Sequence, residues 1–278
     1  MKIGVASGKG GTGKTTVAAA LALSQKGPLS FADCDVEGPN ANIFLKVDMT
    51  HSENFTVPVP VLDEKLCISC GECAKACCFN AIAALGKKVL LFPELCHGCG
   101  ACQNVCPRGA LKESSRKTGI LESGKKGNIS FVRGVLDIGE AMSPPLIKEV
   151  VKRLPGEGLC IADCPPGTSC PLVAAVRDLD FVLLVAEPSP FGLNDLELTI
   201  ETLRELGLPF GVIQNRLMSG DTLVEEYCRR ENIKIFMNIP FSRKAAEACS
   251  RGENILEVIP ELEKEFAELP GRMERCLR

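Results

Sequence analysis

Tryptophan is absent, tyrosine occurs once, histidine twice, and aromatic residues make up only 5% of the chain. The core must therefore be aliphatic, and a 45% hydrophobic content is enough to build one. No apolar run approaches the roughly 18 residues of a membrane span. Neither sign of charge dominates: the net value of −3 excludes a basic footprint for nucleic acid. Met1-Lys2 leads straight into an apolar segment, so no secretory leader is expected. The C-terminal stretch PELEKEFAELPGRMERCLR lacks the basic amphipathic face that would lie on a membrane.

Cysteine breaks this pattern of scarcity, with sixteen in 278 residues. Secreted disulfide scaffolds are short and loop-rich. This chain is long enough for about two domains of roughly 150 residues, and eight of its cysteines stand at metal-ligand spacing. A reducing cytoplasm, with thiolates held for metal, is the expected setting.

Apolar runs at 2–7, 29–34, 159–164, 181–187, 210–214 and 233–239 read as strands covered on both faces. Helical patterns lie between them, at about 14–25, 145–154, 170–178, 192–206, 219–231 and 242–250. A last helix over 260–268 is expected to be interrupted by Pro270-Gly271. Strand and helix in alternation predict an α/β fold with a doubly wound, mostly parallel sheet.

Between the first strand and helix runs Gly8-Lys9-Gly10-Gly11-Thr12-Gly13-Lys14-Thr15-Thr16. Such a turn closes backbone N–H groups around phosphates at the positive end of a helix. Lys14 is expected to reach the β- and γ-phosphates, and Thr15 to hold Mg²⁺.

The cysteines repeat with a period of 29 residues: Cys67, Cys70, Cys73 and Cys77, then Cys96, Cys99, Cys102 and Cys106-Pro107. Leu66 and Gly71 recur as Leu95 and Gly100, and Ala81-Ile82 as Ala110-Leu111. This run is the bacterial ferredoxin pattern, in which the fourth cysteine binds the other cluster. That pattern implies one 4Fe–4S cluster on Cys67, Cys70, Cys73 and Cys106, and a second on Cys96, Cys99, Cys102 and Cys77. Structural zinc, the competing reading, favours paired cysteines with long spacers. Cys78 stands where the pattern has proline. It is read as filling a small buried site, with exchange against Cys77 as the other possibility. His97 is read as a polar loop residue. Cys164 and Cys170 are read as buried packing. The seven remaining cysteines form no C-x-x-C pair.

Pro58 and Pro60 mark the entrance to this segment. The expected organisation is an α/β domain of residues 1–57 and 116–278, with an inserted ferredoxin-like α+β unit of residues 58–115. The basic stretch 112–133 is read as a solvated hinge, or else as a dock for an acidic redox partner.

With Lys9 as a second lysine, the loop resembles the deviant Walker A motif, KGGTGKT, of the MinD/ParA/Mrp class of P-loop ATPases. That class includes the nitrogenase iron protein. The resemblance implies ATP or ADP with Mg²⁺, and a homodimer or a heterodimer with a related chain. In it, Lys9 would cross to the partner's phosphates, a positive charge supplied in trans. It further implies that Asp35 positions the attacking water, that Asp33 supports it, and that Asp163 binds Mg²⁺ through water. Asp163 to Gly167 would form a second switch. Asn215 would hydrogen-bond adenine and Pro240 would lie along the base.

The expected function is an ATP-hydrolysing iron–sulfur protein. Nucleotide-driven closure would gate electron transfer through two 4Fe–4S clusters to a redox or cluster-accepting protein. An ATP-dependent cluster assembly or insertion factor is the alternative, weakened by the missing C-x-x-C. A positioning ATPase would need a membrane or DNA, and neither is indicated.

Overall fold

The computed structural model describes residues 1–277. β1 (Lys2–Ala6) passes through the glycine loop into α1 (Lys14–Leu23), and β2 (Leu29–Asp33) leads to α2 (Ala41–Leu45). A long β3 (Met49–Leu62) runs out to a small cysteine-rich unit: α3 (Glu72–Ala76), β4 (Ile82–Leu85), β5 (Lys88–Leu91) and α4 (Ala101–Asn104). β6 (Leu111–Lys126) returns from it and turns into β7 (Ile129–Leu136). Strand and helix then alternate: α5 (Pro144–Lys152), β8 (Leu159–Asp163), α6 (Cys170–Val176), β9 (Phe181–Ala186), α7 (Pro190–Glu205), β10 (Phe210–Leu217), α8 (Leu223–Arg230), β11 (Ile235–Pro240), α9 (Arg243–Ser250) and α10 (Leu262–Leu277).

Among the described residues the main sheet has the order β11-β10-β9-β1-β8-β2-β7-β6-β3. The seven strands from β11 to β7 pair in parallel; β6 and β3 are antiparallel additions at one edge. Two apolar layers cover its faces. α1, α2, α9 and α10 pack on Ile3, Val5, Phe31, Phe131 and Phe181. α5 to α8 pack on Ala6, Ala32, Ala162 and Leu184. The expected α/β sheet with helices on both faces is therefore present.

Two expectations need correction. The stretch 112–133 is not a hinge; it is the body of β6 and the start of β7, and Arg133 is anchored to Glu122 at 2.7 Å and to Asn42 at 2.7 Å. Its alternating charges looked like solvated loop, yet one face of an edge ribbon can be polar without breaking the strand. Pro58 and Pro60, expected at the entrance to the cysteine segment, lie in β3, an edge strand, where proline is tolerated. The proposed boundaries 57/58 and 115/116 fall opposite each other within the β3–β6 ribbon, where Val57 pairs with Arg116 and Pro58 with Ser115.

The expected interruption at Pro270-Gly271 is also absent: α10 continues through Pro270 to Leu277. Proline removes the bond to the carbonyl four residues back. That carbonyl, Phe266 O, instead accepts from the Gln25 side chain at 3.4 Å.

The junction of β7 with α5 is tight. A Cβ on Gly134 would stand 2.8 Å from both Leu146 Cγ and Val36 Cγ1, and 3.0 Å from Val150 Cγ2. Gly134→Ala should therefore lower stability by about 1–3 kcal/mol through overpacking. Urea unfolding with an unchanged m-value checks it; an unshifted midpoint would show that α5 can retreat.

Candidate functional site

The C-terminal ends of β1, β2, β8 and β10 meet along one edge of the sheet, the place where open α/β sheets hold ligands. Gly8 to Gly13 form the turn there. Gly11 and Gly13 take φ of 81° and 88°, the left-handed region that suits glycine. Gly8 is needed for another reason: a Cβ would stand 2.2 Å from the Asp195 carbonyl of α7. A Cβ on Gly13 would meet Asn215 Nδ2 at 2.3 Å.

Lys14 opens α1 and turns inward. Its Nζ lies 2.6 Å from Asp163 Oδ1 and 3.9 Å from Asp35 Oδ2. Burial alone would depress the Lys14 pKa, but the charge and hydrogen bond of Asp163, helped by Asp35 and Asp33, hold it above the ordinary lysine value. Asp33 is fully buried and accepts from Ala41 N at 2.9 Å and Asp35 N at 3.2 Å. Burial, then the charge of Asp163, push its carboxyl up to about 7. Burial also raises Asp35, against the pull of Lys14.

Three carboxylates thus face one ammonium. Asp163 Oδ2 and Thr12 Oγ1 are buried without a hydrogen-bond partner, and unpaired buried acceptors of this kind are rare. The site is short of positive charge and has acceptors to spare, so its residues fit a hydrated Mg²⁺ ion beside a polyphosphate.

Lys9, half-exposed, pairs with Glu187 at 3.5 Å within its own chain. The same carboxylate lies 3.9 Å from Arg216. Glu187, directly after β9, thus joins two cations beside the loop. Asn215 does not follow β10 but lies in it, at a register shift where Arg216 takes φ 62°. The bulge re-aims the amide: Nδ2 donates to Thr12 O at 2.7 Å and Oδ1 accepts from Arg216 N. A cavity of about 130 Å³ beside the loop is lined by Gly13, Thr16, Asn215, Arg216, Pro240 and Phe241. Four of the expected nucleotide-binding residues thus share one wall. Gly167, with φ 93°, donates to Ser7 O at 3.0 Å and ties the segment after Asp163 to the glycine loop.

The second assembly lies at the end of the ribbon. All sixteen cysteines are free thiols. One cavity is lined by Cys67, Cys70, Cys73 and Cys106. Another is lined by Cys77, Cys96, Cys99 and Cys102. Three sulfurs of each come from one run and the fourth from the other. Backbone donors point at sulfur: Ser69 N at Cys67 and Gly98 N at Cys96, both 3.4 Å, and Ala81 N at Cys77 and Ala110 N at Cys106, both 3.3 Å. Hydrogen bonds of this sort stabilise thiolates, and the backbone donors around Cys106 hold its pKa below the ordinary thiol value. Burial pushes Cys73 and Cys102 up.

Among the described residues no group of three or more His, Cys, Asp or Glu side chains gathers around one ion. Four thiols lining one cavity, three from one run and one from the other, are a donor set that fits an iron–sulfide body.

Two minor expectations fail. Cys78 and Cys170 are exposed, not packed in the core. Cys164 is buried as expected. His97 is more than a polar loop residue: it stacks on Phe79 with centroids 3.6 Å apart and walls the second cavity. An unforeseen ion pair ties the ribbon to the loop after β7. Arg116 of β6 forks onto Glu140, in the loop between β7 and α5, and its charge also acts on Cys96.

Residues 3–255 match the family described as the CobQ/CobB/MinD/ParA nucleotide binding domain. An uncharacterized protein of Methanocaldococcus jannaschii is 31% identical, over 96% of this chain and 97% of its own length. A protein of Aquifex aeolicus named an iron-sulfur cluster carrier protein is 26% identical, over 94% of this chain and 63% of its own length. Among solved structures, the septum site-determining protein MinD of Pyrococcus horikoshii, complexed with Mg-ADP, has a TM-score of 0.61 at 20% identity, covering 100% of this chain and 98% of that one. That likeness shows the fold.

Removing Lys14 strands the buried Asp163 charge. Lys14→Ala should cost about 3–5 kcal/mol of stability, and adding Asp163→Asn should recover part of it. Thermal unfolding of the two variants decides; equal losses would mean that Asp163 does not depend on Lys14.

Proposed function

This chain belongs to the CobQ/CobB/MinD/ParA nucleotide-binding family, and from that premise we propose that it hydrolyses ATP and carries two 4Fe–4S clusters whose electron transfer the nucleotide gates. The family's members are ATPases. The observation that carries the reading is the crossed sharing of cysteines: each cavity draws three from one run and one from the other, as the two-cluster ferredoxin pattern requires. Domains of residues 1–57 with 116–278, and of 58–115, go with it.

The nucleotide side follows from the charges. Thr15 and Asp163 would hold Mg²⁺, the latter through water. Lys14 would exchange Asp163 for the β- and γ-phosphates, and Asp35 would orient the attacking water. Asn215, Pro240 and Thr16 would line the base and its approach. Lys9 would leave Glu187 and meet phosphate across a dimer with a second copy or a related chain. Positive charge placed where phosphoryl charge develops is the effect required.

The cysteines would hold clusters that supply one-electron redox chemistry. The chain's own part is to couple them to the phosphates. Support comes from a short path. Val36, next to Asp35, accepts from Leu136 N at 2.9 Å; Asp137 follows and accepts from Glu140 N at 3.0 Å; Glu140 holds Arg116, whose charge reaches Cys96. Movement of the Asp35 segment on nucleotide binding would shift that ion pair.

A second reading, delivery of clusters to another protein, draws on the name of the Aquifex aeolicus relative. Iron and sulfide moving to an apo-acceptor under Mg-ATP would favour it over gating.

Anaerobically prepared protein should hold about eight irons, four per cluster. Cys106→Ala should disturb the EPR signal that Cys70→Ala disturbs and spare the one that Cys99→Ala disturbs; the opposite grouping rules out crossed ligation. Mg-ATP should change the rate of cluster reduction by at least about tenfold, roughly 1.4 kcal/mol in barrier. Arg116→Gln should keep ATP hydrolysis and lose that nucleotide effect. If the variant keeps the effect, the Arg116 path is not the coupling route.

A further inference from the structure

The duplicated cysteine unit contains its own control experiment. Positions 29 residues apart match in backbone: Ser69 with Gly98, Gly71 with Gly100, and Asn80 with Gly109 all take positive φ. Each cavity receives one N–H···S contact at 3.4 Å and one at 3.3 Å. Cys73 and Cys102 are both 8% exposed, and Cys70 and Cys99 are both exposed. Hydrogen bonds to sulfur, burial and net charge set the potential of such a site. The sulfur contacts and the cysteine burial are equal in the two halves.

The charges are unequal. Arg108 walls the cavity of Cys67, Cys70, Cys73 and Cys106, whereas its repeat counterpart, Phe79, walls the other. Glu113 walls the cavity of Cys77, Cys96, Cys99 and Cys102, and its counterpart is Ala84. The remaining nearby charges mostly cancel. Lys75 acts on Cys70 but is paired with Glu72, Lys112 is paired with Asp63, and Arg116 acts on Cys96 but is paired with Glu140. Glu94, which acts on Arg116, adds further negative charge on the second side. Phe79 and His97 also cover the second cavity with a stacked pair, where the first has the exposed Ile68.

We infer that the two cysteine sites are unequal electron acceptors, the one walled by Arg108 holding an added electron in preference to the one walled by Glu113. The inference rests on the reading that both sites hold clusters. A cation beside the site stabilises added negative charge and a carboxylate opposes it; both side chains are exposed, so solvent weakens the effect without changing its sign. Position gives this a direction. The Glu113 site touches Pro58 and lies by the Arg116–Glu140 pair, on the side of the nucleotide-binding body. The Arg108 site touches Leu62 and Leu111, the far end of the ribbon. An electron shared between the two sites would sit mainly at the distal one; the body-side site is oxidised as the distal site is reduced, no bond breaks and no proton moves.

The test is an anaerobic redox titration of the full chain, reconstituted with iron and sulfide and followed by EPR. Cys70→Ser and Cys99→Ser forms assign each signal to its site. The wild type should show midpoints at least about 59 mV apart, a tenfold preference for a one-electron couple, the higher belonging to the Cys70 set. Arg108→Phe, which copies the counterpart residue, should lower that midpoint and narrow the gap; Glu113→Gln should raise the other. Coincident midpoints with about eight irons bound, or a higher midpoint on the Cys99 set, overturn the inference and leave cluster binding standing. Iron content well below that figure overturns the underlying reading instead.

Discussion

A nearly dry ion pair, Lys14 with Asp163 at 2.6 Å, fixes the working edge of this protein. A buried carboxylate without its partner would be intolerable, so the strand that carries Asp163 and the loop that carries Lys14 must be held in one arrangement. The sheet does this: β1 lies against β8, and β8 against β2, with Asp33 and Asp163 as register partners. The same pair keeps the site poised. Lys14 is already charged, already inside and already beside carboxylates that outnumber it. A metal ion would offset the excess carboxylate charge, and phosphates competing for Lys14 would loosen its hold on Asp163, which is how a ligand could move the segments attached to the aspartates.

Those segments lead away from the phosphates along the chain's own hydrogen bonds. β2 pairs with β7, β7 with β6, and β6 with β3. An edge ribbon is a stiff support for a small unit because its two strands hold each other in register over thirteen paired positions, from Met49 with Gly124 to Leu62 with Leu111. It is also an exposed edge, which proteins must blunt. Pro58 and Pro60 do so on β3 without interrupting it. One device thus carries the cysteine unit outward and discourages other chains from pairing with the carrier.

Much of this was legible in the residues, for physical reasons that differ from element to element. The buried parallel strands announced themselves as short apolar runs, since both their faces are covered. The glycine loop was legible because the backbone positions that need Gly11 and Gly13 tolerate little else. The cysteine pairing across runs was legible because the run matches the two-cluster ferredoxin pattern, in which the fourth cysteine serves the other site. The ribbon was not legible. Its residues alternate charge with serine and threonine, and such a pattern fits loop and half-solvated strand equally. Pro270 misled in the other direction: the local rule ends a helix there, and only Gln25, far away in sequence, supplies the missing donor. Arg116 looked like one cation among several in a basic stretch, because its partner Glu140 lies 24 residues on, beyond a turn.

Duplication explains why the cysteine unit can be both symmetric and directional. Crossed sharing forces the two halves to keep one backbone, since neither can complete its site alone, and the matched positive-φ positions show how closely that is kept. Ser69 and Asn80 hold conformations that suit glycine better, as their counterparts Gly98 and Gly109 do, so the geometry has persisted even where the residue type has not. Gly98 has its own constraint: a Cβ would press on Pro58 at 3.0 Å, tying the second half to β3. Side chains that only wall the cavities carry no such burden. Arg108 against Phe79, and Glu113 against Ala84, are free to differ, and a difference in charge is the cheapest way to give a symmetric pair of sites an order.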